Sequence, residues 1–165
     1  MSELKKYKMF INGEWIDSES KKTFKTLNPE NNEPWAEVPE ASEKDVDIAV
    51  KAAQKAFEGE WPKLFPRERA KYLKAIANQL RENAELLGKV ETIDTGKLFK
   101  ETKTQANYIA EYYDYYAGLA DKVEGTVLPI DKNNMQVITT RVPIGVVVAI
   151  IPWNSQMLLT AVKLA

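Results

Sequence analysis

The stretch Val142-Pro143-Ile144-Gly145-Val146-Val147-Val148-Ala149-Ile150-Ile151-Pro152-Trp153-Asn154 decides how this chain is read. From Ile144 to Ile151 it is almost entirely β-branched and apolar, the pattern of a strand covered on both faces of a parallel sheet rather than of a half-solvated antiparallel one. The expected fold class is therefore α/β. Ligands in such sheets bind beyond the carboxyl ends of the strands, and there the sequence places the turn Pro152-Trp153-Asn154, directly ahead of a helix. A nucleotide or an oxyanion suits that position. The same residues also have a purely structural reading, in which Pro152 shapes the turn, Trp153 packs and Asn154 caps the helix. No G-x-G-x-x-G follows the strand, so the usual dinucleotide fingerprint is missing. The helix from Ser155 to Ala165 is nearly all apolar, and the sequence stops in it without a Gly cap or a following strand. The expectation is a fold that begins here and is not finished.

Upstream, Gly125-Thr126-Val127-Leu128-Pro129-Ile130 and Met135 to Arg141 flank the turn Asp131-Lys132-Asn133-Asn134 and predict a hairpin. Its long free edge makes it a plausible subunit contact. Before it, about Lys100 to Asp121, a helix carries Tyr108, Tyr112, Tyr113, Tyr115 and Tyr116, which at about 3.6 residues per turn cover more than one face. Most of these are expected to pack; an aromatic wall lining a pocket is the functional alternative, with Tyr116 its best candidate.

Three further helical patterns precede that one. Ser42 and Asp45 form a capping-box-like start, with Val46, Ala49, Val50, Ala53 and Phe57 on one face. A second helix begins at Pro66 and is expected to bury Ala70, Leu73, Ile76, Ala77 and Leu80, and a third runs through Leu87, Val90 and Ile93 to a stop at Gly96. Residues 7–40 read as a two-hairpin arm: Tyr7 to Ile11 and Glu14 to Asp17 around Asn12-Gly13, then Thr23 to Asn28 and Trp35 to Val38. The Lys5-Lys6 and Lys21-Lys22 pairs suit solvated strand edges. The divisions expected are 1–124, arm plus helices; 125–141, hairpin; and 142–165, strand, turn and helix.

Composition narrows the function. The 165 residues hold 23 basic and 24 acidic side chains, a net charge of −1 that gives no field for nucleic acid or an anionic membrane. Absence of Cys and His removes thiolate and imidazole catalysis, disulfides and zinc sites built on those ligands. Met1-Ser2-Glu3-Leu4-Lys5-Lys6-Tyr7 lacks a signal core, and the apolar run at 144–151 is too short to cross a bilayer. A cytoplasmic location, with no nucleic-acid or membrane partner, is the expectation.

Ile151-Pro152-Trp153-Asn154 followed by Leu158-Leu159-Thr160-Ala161-Val162-Lys163-Leu164-Ala165 resembles the NAD(P)-dependent aldehyde dehydrogenase family at its P-W-N motif. Asn28-Pro29, Val38-Pro39-Glu40-Ala41-Ser42, Asp45-Val46, Glu91-Thr92-Ile93-Asp94-Thr95-Gly96-Lys97, Tyr115-Tyr116-Ala117-Gly118 and Arg141-Val142-Pro143-Ile144-Gly145-Val146 resemble the same family in the same order. In that family a nucleophilic Cys attacks the aldehyde, hydride passes to the nicotinamide and a Glu-activated water completes oxidation to the carboxylate.

The resemblance implies the N-terminal part of that fold: hairpin arm, helical segment, oligomerisation hairpin, and the first strand and helix of a Rossmann-like cofactor domain, incomplete. It makes Asn154 the side-chain amide of the oxyanion hole and places Ile150, Ile151, Pro152 and Trp153 against NAD or NADP. It puts Tyr116, Ser155, Leu158, Leu159 and Val162 on the substrate tunnel. Lys163 matches a lysine given a proton-relay role in betaine-aldehyde-type members, although its spacing equally suits the one solvated residue of a buried helix. Potassium in those members sits near positions matching Thr26, Leu27 and Asp94; helix-end chemistry before Gly96 is the plainer reading of Asp94.

Two departures qualify these implications. Many relatives carry an aromatic residue and then Pro where this chain has Ser155-Gln156, and several carry Trp at the position of Val162. Loss of two aromatic faces argues against a quaternary ammonium aldehyde and for a broader or aliphatic substrate. The chain also contains neither the Cys nucleophile nor the region of the Glu base, so turnover by it alone is not expected. Strand 144–151 would lack parallel neighbours, and exposed apolar surface should make the chain associate. A homo-oligomer, or pairing of a non-catalytic product with a full-length subunit through the hairpin, follows as the partner expectation. A free-standing nucleotide-binding module is the remaining alternative.

Overall fold

The computed structural model describes residues 4–165; the first three residues of the 1–124 segment lie outside the described residues. The arm forms as two hairpins. Strand β2 (Met9–Ile11) pairs antiparallel with β3 (Glu14–Ile16), and the two turn residues, Asn12 and Gly13, have φ of 54° and 82°. Two successive left-handed residues are what a primed two-residue turn requires, and Asn-Gly adopts them at least cost. Phe10 and Trp15 face each other across this hairpin with ring centroids 4.9 Å apart.

Strands β4 (Thr23–Leu27) and β5 (Pro34–Pro39) make the second hairpin, and β1 (Lys5–Lys6) adds to β5 in parallel, giving the order β1-β5-β4. The lysine pair of β1 is an exposed edge, as its charge suggests.

Helix α1 (Glu43–Glu58) starts at a true capping box. Ser42 Oγ accepts from the Asp45 N–H, and the Asp45 carboxylate accepts from the Ser42 N–H at 2.8 Å. That carboxylate also accepts from Ser18 Oγ at 2.8 Å and from the Glu19 N–H at 3.0 Å, so one buried acid starts the helix and fastens the arm to it. The Ser42 N–H, ahead of the other donors, holds Asp45 well below the usual carboxylate range. The apolar face expected on α1 is only partly covered: Val46 and Val50 are exposed, because little of the described chain packs over them.

A short 3-10 turn (Trp61–Lys63) leads to α2 (Pro66–Glu82), whose Pro sits at the first helical position, where a missing N–H costs nothing. Helix α3 (Ala84–Thr95) ends as the sequence predicts, on Gly96 with φ 76°. Helix α4 (Phe99–Leu119) packs against both α2 and α3. Its approach to α3 depends on Gly88, where a Cβ would lie 2.9 Å from the Lys103 backbone. Buried Thr102 donates to the Gly88 carbonyl there at 2.9 Å. Ala77, Ile109, Ala110 and Tyr113 form the core, with Leu73 and Leu80 packed against it; Ile76, expected inside, is exposed. Burial raises the Tyr113 hydroxyl above its ordinary pKa.

Past α4 the sequence expectations hold less well. The 125–141 hairpin forms only two paired positions per strand, β6 (Val127–Leu128) with β7 (Val137–Ile138). The buried parallel strand expected over 144–151 does not form. That segment is irregular, and Ile144 is 93% exposed, Ile150 84%. The physical reason is that a parallel strand exists only through its neighbours, and among the described residues no strand lies beside it. Helix α5 (Gln156–Leu164) does form and finds partial cover: Ala161 is fully buried in the core of α2 and α4, with Met157 and Leu158 against it, while Val162 and Leu164 stay exposed. Among the described residues no helix is long and apolar enough to cross a membrane.

Candidate functional site

The turn ahead of α5 is open. Trp153 is 75% exposed, and Pro152 and Asn154 are exposed beside it. The helix takes Ser155, not Asn154, as its N-cap, so the capping role allowed for Asn154 is not the one it plays. A carboxamide that is hydrogen-bonded to nothing among the described residues, on a solvent-open turn at a helix N-terminus, is an N–H donor available to an anionic oxygen.

What holds the turn is a set of contacts at the end of α3. The Thr26 hydroxyl donates to Asp94 Oδ1 at 2.8 Å, and Gln156 Nε2 donates to Asp94 Oδ2 at 3.0 Å. Alongside, Lys97 Nζ donates to Glu91 Oε1 at 3.1 Å and to Ser155 Oγ at 2.6 Å. The Glu91 side chain is 3% exposed, so its charge is compensated by Lys97 in a place water hardly reaches. Glu91 Oε2 and Gln156 Oε1 have no hydrogen-bond partner among the described residues. These groups border a mainly apolar cavity of about 490 Å³ between the arm and α3, walled by Phe24, Trp35, Leu87, Val90 and Met157 among others.

Of the positions singled out from sequence, the structure brings Thr26 and Asp94 together, and seats Ser155 on Lys97 and Leu158 on the core. Leu27 follows an irregularity in the β4–β5 register, and its side chain is exposed. Tyr116 is half-buried on α4, its ring 4.7 Å from Tyr112 and 5.2 Å from Tyr115. Leu159 is half-buried, whereas Ile150, Trp153, Val162 and Lys163 are exposed and Ile151 is intermediate. A closed tunnel is therefore not assembled from these residues alone. Sequence reading missed Lys97 and Glu91 as site residues. Their only signal was their place in the run Glu91 to Lys97, which carries part of the family resemblance without indicating what either side chain touches.

A sequence model described as the Aldehyde dehydrogenase family matches residues 15–165. Among curated proteins, the (Z)-2-((N-methylformamido)methylene)-5-hydroxybutyrolactone dehydrogenase of Acinetobacter baylyi is 45% identical over 97% of this chain and 33% of its own length. Aldehyde dehydrogenase 1 of Tanacetum cinerariifolium is 45% identical over 99% of this chain and 33% of its own. Among solved structures, an aldehyde dehydrogenase from Bacillus cereus, a G224D mutant, superimposes with a TM-score of 0.91 at 38% identity, covering 96% of this chain and 33% of that one. Betaine aldehyde dehydrogenase from Staphylococcus aureus, solved with NAD+, gives a TM-score of 0.88 at 36% identity over 94% of this chain and 31% of that one. The chain thus spans about a third of the length of the relatives it matches, and its helices and strands are those of a partial aldehyde dehydrogenase fold. With likeness running from the arm through the Pro152-Trp153-Asn154 turn to Ala165, in sequence and in backbone alike, the chain belongs to the aldehyde dehydrogenase family.

Proposed function

We propose that these residues form the N-terminal portion of a cytoplasmic NAD(P)-dependent aldehyde dehydrogenase that oxidises an aldehyde to a carboxylate, and that this portion alone is inactive. The observation that carries the reading is the exposed Asn154 carboxamide on the turn before α5, not consumed as a helix cap. Aimed at a substrate oxygen, its N–H stabilises the negative charge that develops when the carbonyl is attacked. Ile150, Ile151, Pro152 and Trp153 offer an open apolar edge beside it that fits NAD or NADP, which supplies the hydride acceptor when bound. Tyr116, Ser155, Leu158, Leu159 and Val162 are assigned to the aldehyde tunnel, and Ser155 and Val162 favour a broad or aliphatic substrate. Lys163, exposed on α5, is assigned the proton relay. The Thr26 hydroxyl and the Asp94 carboxylate already meet at 2.8 Å, and together with the Leu27 carbonyl they offer the hard oxygen donors that suit potassium.

The test uses a chimera in which the remaining residues of a solved relative follow Ala165. Asn154→Ala should lower kcat by about 10²–10³, the effect of one oxyanion donor; an unchanged kcat overturns the assignment. The 165-residue chain assayed alone with NAD and several aldehydes should give no turnover, and sustained turnover overturns the inactivity claim. A second reading, a non-catalytic partner of a full-length subunit, draws support from Val127, Met135 and Ile138, exposed on the β6–β7 hairpin. Co-expression followed by native mass spectrometry should then give mixed oligomers, and recovery of separate species only counts against it.

A further inference from the structure

Asn154 makes the turn useful only if its direction is held, and the turn itself is exposed. The next two residues supply the hold. Ser155 occupies the N-cap position, yet its hydroxyl makes no capping bond and instead accepts from Lys97 Nζ at 2.6 Å. Gln156, the first residue of α5, donates to Asp94 Oδ2 at 3.0 Å, and Asp94 Oδ1 is fixed in turn by Thr26. Two successive residues are thereby tied to the end of α3 across separations of 58 and 62 residues, one as acceptor and one as donor. Two tethers on adjacent residues restrict both the shift and the rotation of a helical turn, whereas one restricts only its distance.

The charge arrangement argues that Lys97 is there for this grip. An ammonium beside a helix N-terminus is opposed by the helix dipole, so it does not stabilise α5 electrostatically. The buried Glu91 carboxylate, 3.1 Å away, offsets that cost and fixes the lysine in place.

We propose that Lys97 and Asp94 are positioning residues, acting through Ser155 and Gln156 to hold the first turn of α5 and with it the Asn154 carboxamide. The assignment rests on the reading of Asn154 as oxyanion donor, and its physical part is measured without any substrate. In the 165-residue chain, amide exchange over residues 159–163, whose N–H groups are bonded to the carbonyls of the first turn, should speed up about tenfold in Lys97→Met and in Asp94→Ala, the response to losing one charge-assisted hydrogen bond. Exchange over 105–113 should not change, and Lys97→Arg, which keeps a cationic donor, should restore protection. Because Lys97→Met also leaves Glu91 buried without its cation, Ser155→Ala gives the version that leaves their pair intact, and it should show the same increase.

In the chimera, Lys97→Met should lower kcat with little change in KM, and Lys97→Arg should recover it. Unchanged exchange over 159–163 in both Ser155→Ala and Lys97→Met overturns the tether; changed exchange with unchanged kcat overturns its positioning role. Failure of Asn154→Ala to affect kcat instead sinks the oxyanion reading and leaves the exchange result standing.

Discussion

Ile109 and Ile144 are the same side chain in two regions of one molecule, and they meet opposite fates: Ile109 is 1% exposed and Ile144 93%. The first lies in α4, between α2 and α5, which the chain itself supplies. The second lies in a run as apolar as any in the sequence, for which the described chain supplies no sheet. Apolar sequence becomes core only where an opposing surface exists. The core around Ile109 is therefore closed by the chain's own helices, and residues 142–151 depend on whatever pairs with them.

The largest expected effect tests the sealed side. Ile109→Ala removes a fully buried side chain from a core whose other members are three alanines and Tyr113, with Leu73, Leu80, Met157 and Leu158 packed around it. It should cost about 2–5 kcal/mol in urea denaturation. A loss near the surface-substitution range would show that the layer is looser than its burial implies and would erase the contrast. Next comes Gly88→Ala, which should cost about 1–3 kcal/mol because the added methyl meets the Lys103 backbone rather than a movable side-chain tip.

Asp45→Asn sharpens the contrast at the arm. The Asp45 pKa is depressed in the folded state, so its stabilising contribution is present above its ordinary value of 3.8 and is lost as pH falls through the still lower folded value. At neutral pH the variant should melt below the parent chain. The gap should narrow as pH drops below 3.8, where the parent carboxylate begins to lose its advantage. A melting difference that stays constant across that window would mean the carboxylate charge is not what joins arm to helix.

Sequence reading succeeded where the determinants are local. Asn12-Gly13, Ser42 with Asp45, Pro66 and Gly96 each fix a turn or a helix end through their own backbone chemistry, and the structure has all four where expected. It failed where the determinant is a partner. The β-branched run at 144–151 signals a buried strand only if neighbours are assumed, and the apolar faces of Val46, Val50 and Ile76 signal burial without saying what buries them. The β1–β5 pairing was illegible because a lysine pair suits a strand edge without indicating which strand it joins, and its partner lies some thirty residues away. At the site, the P-W-N turn was visible as a turn, but the bonds from Lys97 to Ser155 and from Asp94 to Gln156 join distant segments that periodicity cannot relate.

The smallest expected effect probes the open side. Atoms as exposed in the folded chain as in the unfolded one lose no contact with water on folding, so they contribute almost nothing to folding free energy. Ile144→Ser should accordingly change stability by no more than about 0.5 kcal/mol, against several for the same residue type at position 109. Exposed apolar surface does bear on association, so sedimentation should find the Ile144→Ser chain less self-associated than the parent at equal concentration. Stability and association then separate: the buried isoleucine governs one and the exposed isoleucine the other. A stability loss at Ile144 as large as that at Ile109 would mean that residues 142–151 are covered in solution, by a second copy of the chain or by the α5 face. The contrast between the two regions would then lie in what they pair with rather than in whether they pair at all.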